Sequence, residues 1–315
     1  EGTEGEPAAY GSEYGPYDPP PVEEGYTRFE AMTLKDVEPG ADVTRCQYAM
    51  APVEADTDVL DVVGLQSAFG HHLVAFTHVP RPDDVLGGEV ACMQGSNEFS
   101  AGAGASGGGY LGATSPAKPR VAPLPQGVAY RLKKGEGMVL NIHFINTGAE
   151  PIDGDSYIDL KLAEADPDRV IASMFVNFNG AIDVAPGTQA DSSVDCVAES
   201  DVEFVMMSNH MHEWGTQATT EVERAATGAV EVMRHDAVWT HDLANAPVWA
   251  QWTAEEPFVL RAGDTLRTSC TWSNTTTEVL SFPREMCVSA GFALSRGASA
   301  KVPSCFNGTW VPDGL

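Results

Sequence analysis

The sequence has little positive charge and no long apolar run. Lysine and arginine together number 18 against 45 aspartate and glutamate residues, which gives a formal net charge of −27. A chain of this charge is repelled by phosphate backbones and by anionic lipid surfaces. No apolar stretch approaches the roughly 20 residues that a membrane-spanning helix requires. We therefore expect neither a nucleic-acid partner nor a transmembrane segment.

The cysteines include no C-x-x-C pair, which argues against zinc knuckles and against thioredoxin-like redox motifs. An even set of six, spread along the chain, instead favours three disulfides. The six are Cys46, Cys92, Cys196, Cys270, Cys287 and Cys305. Their spacing alone does not choose among the many pairings that six cysteines allow. Because disulfides persist in oxidising compartments, we expect a secreted, periplasmic or cell-surface protein.

Long helical periodicity is almost absent from the sequence. Short alternating segments rich in Val, Thr, Phe and Ile, separated by turn residues, predict β-strands instead. Examples are residues 27–34, 42–50, 71–78, 138–144, 156–162, 170–178, 201–207, 217–223, 230–235, 258–260, 265–272 and 286–294. The pattern predicts an all-β protein made of two antiparallel β-sandwiches in tandem.

A polar, proline-bearing connector at residues 163–169 predicts the boundary between the two sandwiches. We expect an N-terminal domain at residues 26–165 and a C-terminal domain at residues 166–315. Residues 1–25 form an acidic tail rich in Gly, Pro and Tyr, with no hydrophobic periodicity. Such a segment is by default a flexible tail or a tether, and the alternative is docking on another subunit through its tyrosines, which would give self-association through the tail. Residues 100–112, rich in Gly, Ala and Ser, predict a long surface loop.

His210 and His212 follow a predicted strand and are two residues apart, so both imidazoles lie on one face of it. Two neutral imidazoles begin a Zn, Cu, Ni or Fe site, although they are also consistent with two partly exposed strand histidines. Met286 offers a thioether that suits Cu(I), but a methionine of this kind more often packs in a core. A single metal held by the two histidines and water is a further alternative.

Three more histidines fall in the predicted N-terminal domain. His71 and His72 are adjacent, so both can face one point only if a strand end or a bulge redirects one of them. Gly70, immediately before them, permits such a bulge. His143 lies on another predicted strand of the same domain. These three residues are candidates for a site with three imidazole ligands.

Four segments together resemble the copper type II, ascorbate-dependent monooxygenases, the family of the peptidylglycine and dopamine hydroxylating enzymes. The segments are His71-His72-Leu73-Val74-Ala75-Phe76, Leu140-Asn141-Ile142-His143-Phe144, His210-Met211-His212 and Glu285-Met286-Cys287. Their order and spacing match the family over about residues 40–310. The resemblance implies two jelly-roll-like domains, each with one copper, and a reaction in which O2 and a reductant such as ascorbate hydroxylate a C–H bond.

The resemblance also implies roles for particular residues. His71, His72 and His143 would hold an electron-transfer copper, whereas His210, His212 and Met286 would hold the catalytic copper. The implied disulfides are Cys46–Cys92, Cys196–Cys305 and Cys270–Cys287. Together these expectations describe a dicopper oxidoreductase.

The residues expected around a substrate depart from the family. Ser208 stands where the peptidylglycine branch has an arginine, and Val288 and Ala290 replace an asparagine and a tyrosine. A peptidylglycine substrate is therefore not expected, and the small-molecule or peptide substrate is left unassigned. The alternative hypothesis is a non-catalytic copper-binding or self-assembling surface protein that keeps the monooxygenase fold.

Overall fold

The computed structural model describes residues 17–90, 92, 109–115, 118–120, 122–282, 284–295 and 302–312. Its strands in the first half of the chain are β1 (Thr27–Glu30), β2 (Leu34–Val37), β3 (Asp42–Met50), β4 (Thr57–Gln66), β5 (Gly70–His78), β6 (Glu89–Val90), β7 (Tyr110–Thr114), β8 (Val128–Leu132), β9 (Gly137–Ile145), β10 (Ile152–Gly154) and β11 (Ser156–Glu164).

The second half continues with β12 (Val170–Asn179), β13 (Asp183–Val184), β14 (Gln189–Val197), β15 (Val202–His210), β16 (Gly215–Glu223), β17 (Val230–Asp236), helix α1 (His241–Asn245), β18 (Ala250–Gln251), β19 (Phe258–Leu260), β20 (Thr265–Ser273), β21 (Leu280–Ser281), β22 (Cys287–Ser295), β23 (Ser304–Phe306) and β24 (Thr309–Val311). The predicted all-β class with tandem jelly-roll-like sandwiches is confirmed. Within the described residues, no helix has the length and apolar character needed to cross a bilayer.

The chain divides into two compact units. Among the described residues, the first unit comprises those within 17–92, 109–123 and 132–165, and the second comprises those within 124–131 and 166–312. The first unit contains a five-stranded antiparallel sheet in the order β6-β3-β9-β5-β7, and β11 pairs with both β1 and β4. In the second unit β22 lies between β12 and β15, and a four-stranded sheet runs β14-β20-β16-β17.

Alternating burial shows why β9 and β20 form strands. In β9 the side chains of Leu140, Ile142 and Phe144 are fully buried, while those between them are partly exposed. In β20 the alternation is strict from one end to the other, with Leu266 and Trp272 among the inward side chains. Each large apolar side chain removed from water contributes about 1.5–3 kcal/mol, which fixes the face that each strand buries.

Two of the long strands in the structure, β4 and β14, do not correspond to any of the predicted segments named above. In β4, Asp58 and Asp61 interrupt the alternation, and Gly64 lies where the backbone passes close to Thr114. In β14 most positions are small or polar, and Val194 and Cys196 are its buried apolar residues. The weak hydrophobic patterns of both strands are compensated by pairing with well-patterned neighbours, β11 and β20 respectively.

The predicted loop at residues 100–112 is wrong at its end, because β7 begins at Tyr110. Gly112 lies within that strand, where an added Cβ would contact Val62. A glycine in a strand interior often marks such a close approach, so it was a poor indicator of a loop here. The remainder of the predicted loop falls mostly outside the described residues, as do residues 1–16 of the predicted tail and the self-association that docking through them would give.

Candidate metal centres

His72 and His143 lie on the outer face of the five-stranded sheet of the first unit. In β9 the core-facing residues are the even-numbered ones from Met138 to Phe144, so His143 points away from the core. His72 of β5 is paired directly opposite His143, which places both side chains on the same face. Their ring centroids are 4.7 Å apart.

His71 reaches this face because β5 has a bulge. Gly70 pairs with Phe144 and His72 pairs with His143, so β5 advances two residues while β9 advances one. The extra residue of a bulge no longer follows the strict alternation of the strand. The ring centroid of His71 consequently lies 4.6 Å from that of His143. The bulge expected from the adjacent histidines is thus present in the structure.

The Nδ1 atoms of the three imidazoles converge. Nδ1 of His143 is 3.1 Å from Nδ1 of His71 and 3.4 Å from Nδ1 of His72, and the three residues offer ligand atoms that all lie within 4.8 Å of one another. Two imidazole nitrogens bound at about 2.0–2.1 Å to one ion, at the tetrahedral angle, are about 3.3–3.4 Å apart. The separations in the cluster therefore suit a single transition-metal ion.

Oxygen acceptors behind two of the rings fix their tautomers. Oδ1 of Asp42 accepts a hydrogen bond from Nε2 of His143 at 2.7 Å, and Oδ1 of Asn141 accepts one from Nε2 of His72 at 3.3 Å. The Asn141 amide is oriented in turn, because its Nδ2 donates to Sγ of Cys46 at 3.5 Å. With the proton on Nε2, a neutral imidazole presents a lone pair at Nδ1.

In these tautomers the Nδ1 lone pairs of His72 and His143 face each other across 3.4 Å. Two lone pairs at that distance repel, whereas a cation between them is attracted to both. Ligand imidazoles in metal sites commonly donate their second nitrogen to a carboxylate or carbonyl oxygen, as Asp42 and Asn141 accept here. The donor set and its hydrogen bonds therefore fit a metal.

Gln66 supports the cluster by hydrogen bonds to the backbone of two of its histidines. Its Nε2 donates to the backbone oxygens of His72 at 3.2 Å and His143 at 3.4 Å, and it also contacts Ser156 Oγ. The Gln66 side chain occupies the space that a side chain at position 70 would need, because a Cβ added to Gly70 would lie 2.5 Å from Cβ of Gln66. The bulge therefore requires glycine at position 70 because this amide packs against the backbone there.

The second candidate centre lies in the second unit, beside the paired strands β15 and β22. His210 at the end of β15 pairs with Val288, so their side chains share a face. Met286 is two residues before Val288 and packs with it, with Val176 and with Phe178 in one buried cluster. The structure thus places Met286 beside the strand position of His210.

His212 lies in the segment that follows β15, and its ring is oriented by the backbone of Arg284, two residues before Met286. Its Nδ1 donates to the backbone oxygen of Arg284 at 3.0 Å, which leaves Nε2 as the nitrogen with a lone pair. The ring centroids of His210 and His212 are 5.2 Å apart. Both histidines therefore lie next to the segment that carries Met286.

Burial, together with a smaller contribution from the charge of His212, lowers the pKa of His210 to about 3. A hydrogen bond with the Ala244 backbone acts in the opposite direction but does not compensate. At neutral pH the His210 imidazole is consequently uncharged, which is the form that binds metals.

All three disulfides implied by the sequence resemblance are present. Cα–Cα distances are 5.2 Å for Cys46–Cys92, 6.3 Å for Cys196–Cys305 and 5.8 Å for Cys270–Cys287. The first contacts the Asn141 amide behind His72. The third joins β20 to Cys287, the residue immediately after Met286.

Sequence reasoning missed the residues that hold the ligands. The sequence pattern could have identified Asn141, because it precedes His143 by two residues and so lies on the same face of the strand. It could not have identified Asp42, since that residue comes from a strand about a hundred residues earlier in the chain. Gln66 and Glu285 act through backbone groups, and no residue pattern identifies such contacts.

No protein-family profile and no curated protein matches this chain. Solved structures that resemble it include PBCV-1 VP54, at 7% identity over 90% of this chain and 96% of that one, with a TM-score of 0.32. The major capsid protein P2 of bacteriophage PM2 matches at 9% identity over 87% and 99% of the two chains, with a TM-score of 0.33. A structure of infectious bursal disease virus, Gx strain, matches at 9% identity over 85% and 71%, with a TM-score of 0.22.

These findings contradict the predicted membership in the copper monooxygenase family, because the similar structures come from viral capsid proteins. The predicted hydroxylation reaction, the assignment as an oxidoreductase and the catalytic role of His210, His212 and Met286 are withdrawn with it. The likenesses are too distant to carry capsid assembly over to this chain. Metal binding depends on the side chains themselves.

Proposed function

We propose that this chain is a non-catalytic copper-binding protein whose main site consists of His71, His72 and His143. The observation that supports this most directly is the convergence of three Nδ1 atoms at separations of 3.1 and 3.4 Å. The acceptors at Asp42 and Asn141 support it further, since they direct lone pairs toward the common point.

Copper is favoured over other metals by the combined donor sets. Imidazole suits several late transition metals, and divalent copper binds such ligands most tightly in the series from manganese to zinc. The proposal includes a second, softer copper at His210, His212 and Met286, because a thioether is a ligand for Cu(I) and a poor one for Zn²⁺. The three disulfides favour an extracellular or periplasmic setting for this binding.

The metal content of the purified chain tests the proposal. Apo-protein is dialysed against Cu(I), Cu(II) or Zn(II) in separate experiments, and bound metal is measured per chain after free metal is removed. We expect two copper ions per chain and less zinc than copper.

His235→Ala provides the matched control for nonspecific imidazole binding. His235 is exposed, is bonded at Nδ1 to Thr219 Oγ1 at 2.8 Å, and belongs to neither proposed ligand set. Its removal should leave the copper content at two. A wild-type chain that retains less than one copper contradicts the proposal, and ascorbate-dependent oxygen uptake with turnover by the copper-loaded chain contradicts its non-catalytic part.

A further inference from the structure

We propose that Glu285 is a positioning residue that holds the His212 and Met286 segments in register for the second metal site. This inference rests on the proposed copper function and adds to it a residue that binds no metal itself. Glu285 is completely buried, yet it carries a carboxylate between the two segments that present these ligands.

The carboxylate is surrounded by donors from both segments. Its Oε2 accepts from the backbone N–H of His212 at 3.0 Å and lies 3.4 Å from the backbone N of Met286. Its Oε1 accepts from the backbone N–H of Trp214 at 2.7 Å, and Nε1 of Trp272 donates to Oε2 at 3.1 Å. One side chain thus satisfies backbone donors on each side of the site.

The chemistry of the group matters because its burial is costly. Moving a carboxylate from water into an apolar interior costs several kcal/mol unless hydrogen bonds compensate. Trp272 and the Cys270–Cys287 disulfide belong to an apolar cluster of the second unit. An ionised carboxylate accepts at both oxygens and donates nothing, so it can serve donors on every side. A glutamine would turn an amide N–H2 toward some of them.

The segment from Met211 to Trp214 lies between strands β15 and β16, so a sheet ladder does not fix its conformation. The carboxylate contacts to His212 and Trp214 fix it instead, together with a hydrogen bond from Trp239 Nε1 to the His212 oxygen at 2.9 Å. The same glutamate sits next to Arg284, whose backbone oxygen orients the His212 ring. Moving Glu285 would therefore displace the ring and its acceptor together.

The test compares Glu285→Gln with Glu285→Asp in a full-length chain that carries His71→Ala and His143→Ala, so that only the second site remains. Cu(I) affinity is measured by competition with a Cu(I) chelator, and X-ray absorption reports whether sulfur is bound. Changes in the residues that orient metal ligands typically cost about 10–100-fold in affinity. We expect a loss in this range for Glu285→Gln, weaker sulfur scattering, and partial recovery in Glu285→Asp.

Asp264→Asn is the matched control for a general loss of stability. Asp264 is also a buried carboxylate of the second unit, held by Arg224 and by the backbone N–H groups of Ala225 and Arg261. The Asp264→Asn substitution should destabilise the fold while leaving Cu(I) affinity unchanged. Should Glu285→Gln fail to fold, Glu285→Asp decides, with an affinity below that of the parent chain.

Two results would overturn the inference, and they differ from each other. If the parent chain with the second site alone binds Cu(I) and Glu285→Gln binds it equally well, Glu285 has no positioning role although the second site exists. If the parent chain binds no Cu(I), the second site itself is absent and the inference fails with it.

Discussion

The two candidate centres differ in burial and in how their ligands are held. The first lies on the outer face of a sheet, whereas the second includes Met286, which packs in a buried apolar cluster. At the first, His72 and His143 are directly paired on neighbouring strands, and a bulge turns His71 toward them. At the second, His210 ends a strand, whereas His212 lies in a loop that a buried carboxylate supports.

This difference indicates how each centre responds to change. The geometry of the first depends on strand register, which the core-facing side chains of β9 determine independently of any metal. The geometry of the second depends on the hydrogen bonds of one segment, and the nearby buried thioether adapts readily to its surroundings. We therefore expect a rigid first site and a second site that local substitutions alter easily.

Removing one ligand from each centre should have the largest effect and should separate the two sites. His143→Ala is expected to weaken copper binding strongly at the first site alone, and His210→Ala at the second alone. Metal binding free energies of about 10–16 kcal/mol are shared among a few ligands, so losing one costs on the order of 3–4 kcal/mol. Isothermal competition titrations of both variants measure this, and loss of both coppers in either variant would refute the independence of the sites.

Asp264→Asn should weaken the second unit without affecting either site. Burial raises the pKa of the Asp264 carboxyl, but hydrogen bonds from Arg224 and two backbone N–H groups outweigh it and hold the pKa below its usual value. Because the folded-state pKa is depressed, this stabilisation is present above about pH 4 and is lost as the pH falls through the folded-state pKa.

We expect the variant to lose about 2–3 kcal/mol in urea unfolding at pH 7, because hydrogen bonds to a buried charge are removed. Its deficit relative to the wild type should shrink below pH 4. An equal deficit at pH 7 and pH 3 would show that the carboxylate charge is not the cause.

Met286→Leu should have the smallest effect on folding and decides between a ligand and a packing role. The swap nearly conserves volume, so its cost in stability is expected to be below about 1.5 kcal/mol. If the thioether binds copper, Cu(I) affinity at the second site should fall about tenfold while Cu(II) affinity changes little. Unchanged Cu(I) affinity would assign Met286 to the cluster with Val288 and Phe178 only.

The sequence was sufficient for the fold class and for the first cluster because both follow from alternation. Leu140, Ile142 and Phe144 mark the buried face of β9, and His143 between them must face outward. The strand β4 escaped prediction because Asp58 and Asp61 hide its alternation, although Asp61 is paired with Tyr26 and Arg120 in the structure.

The supporting residues could not be predicted for a different reason. Asp42 contacts His143 across 101 positions of sequence, and a contact of that range leaves no local pattern. Glu285 resembles an ordinary polar residue in its sequence context. Its four hydrogen-bond donors are three backbone N–H groups and the indole of Trp272, and such contacts leave no pattern in the sequence around it. Such roles depend on packing, which single-sequence patterns do not record.

X-ray absorption of the copper-loaded His210→Ala variant tests the central claim most directly, because it isolates the first centre. The proposal predicts one copper per chain whose inner shell contains three imidazole nitrogens near 2.0 Å and no sulfur. Copper bound mainly by oxygen, or no retained copper, would contradict a three-histidine site at His71, His72 and His143.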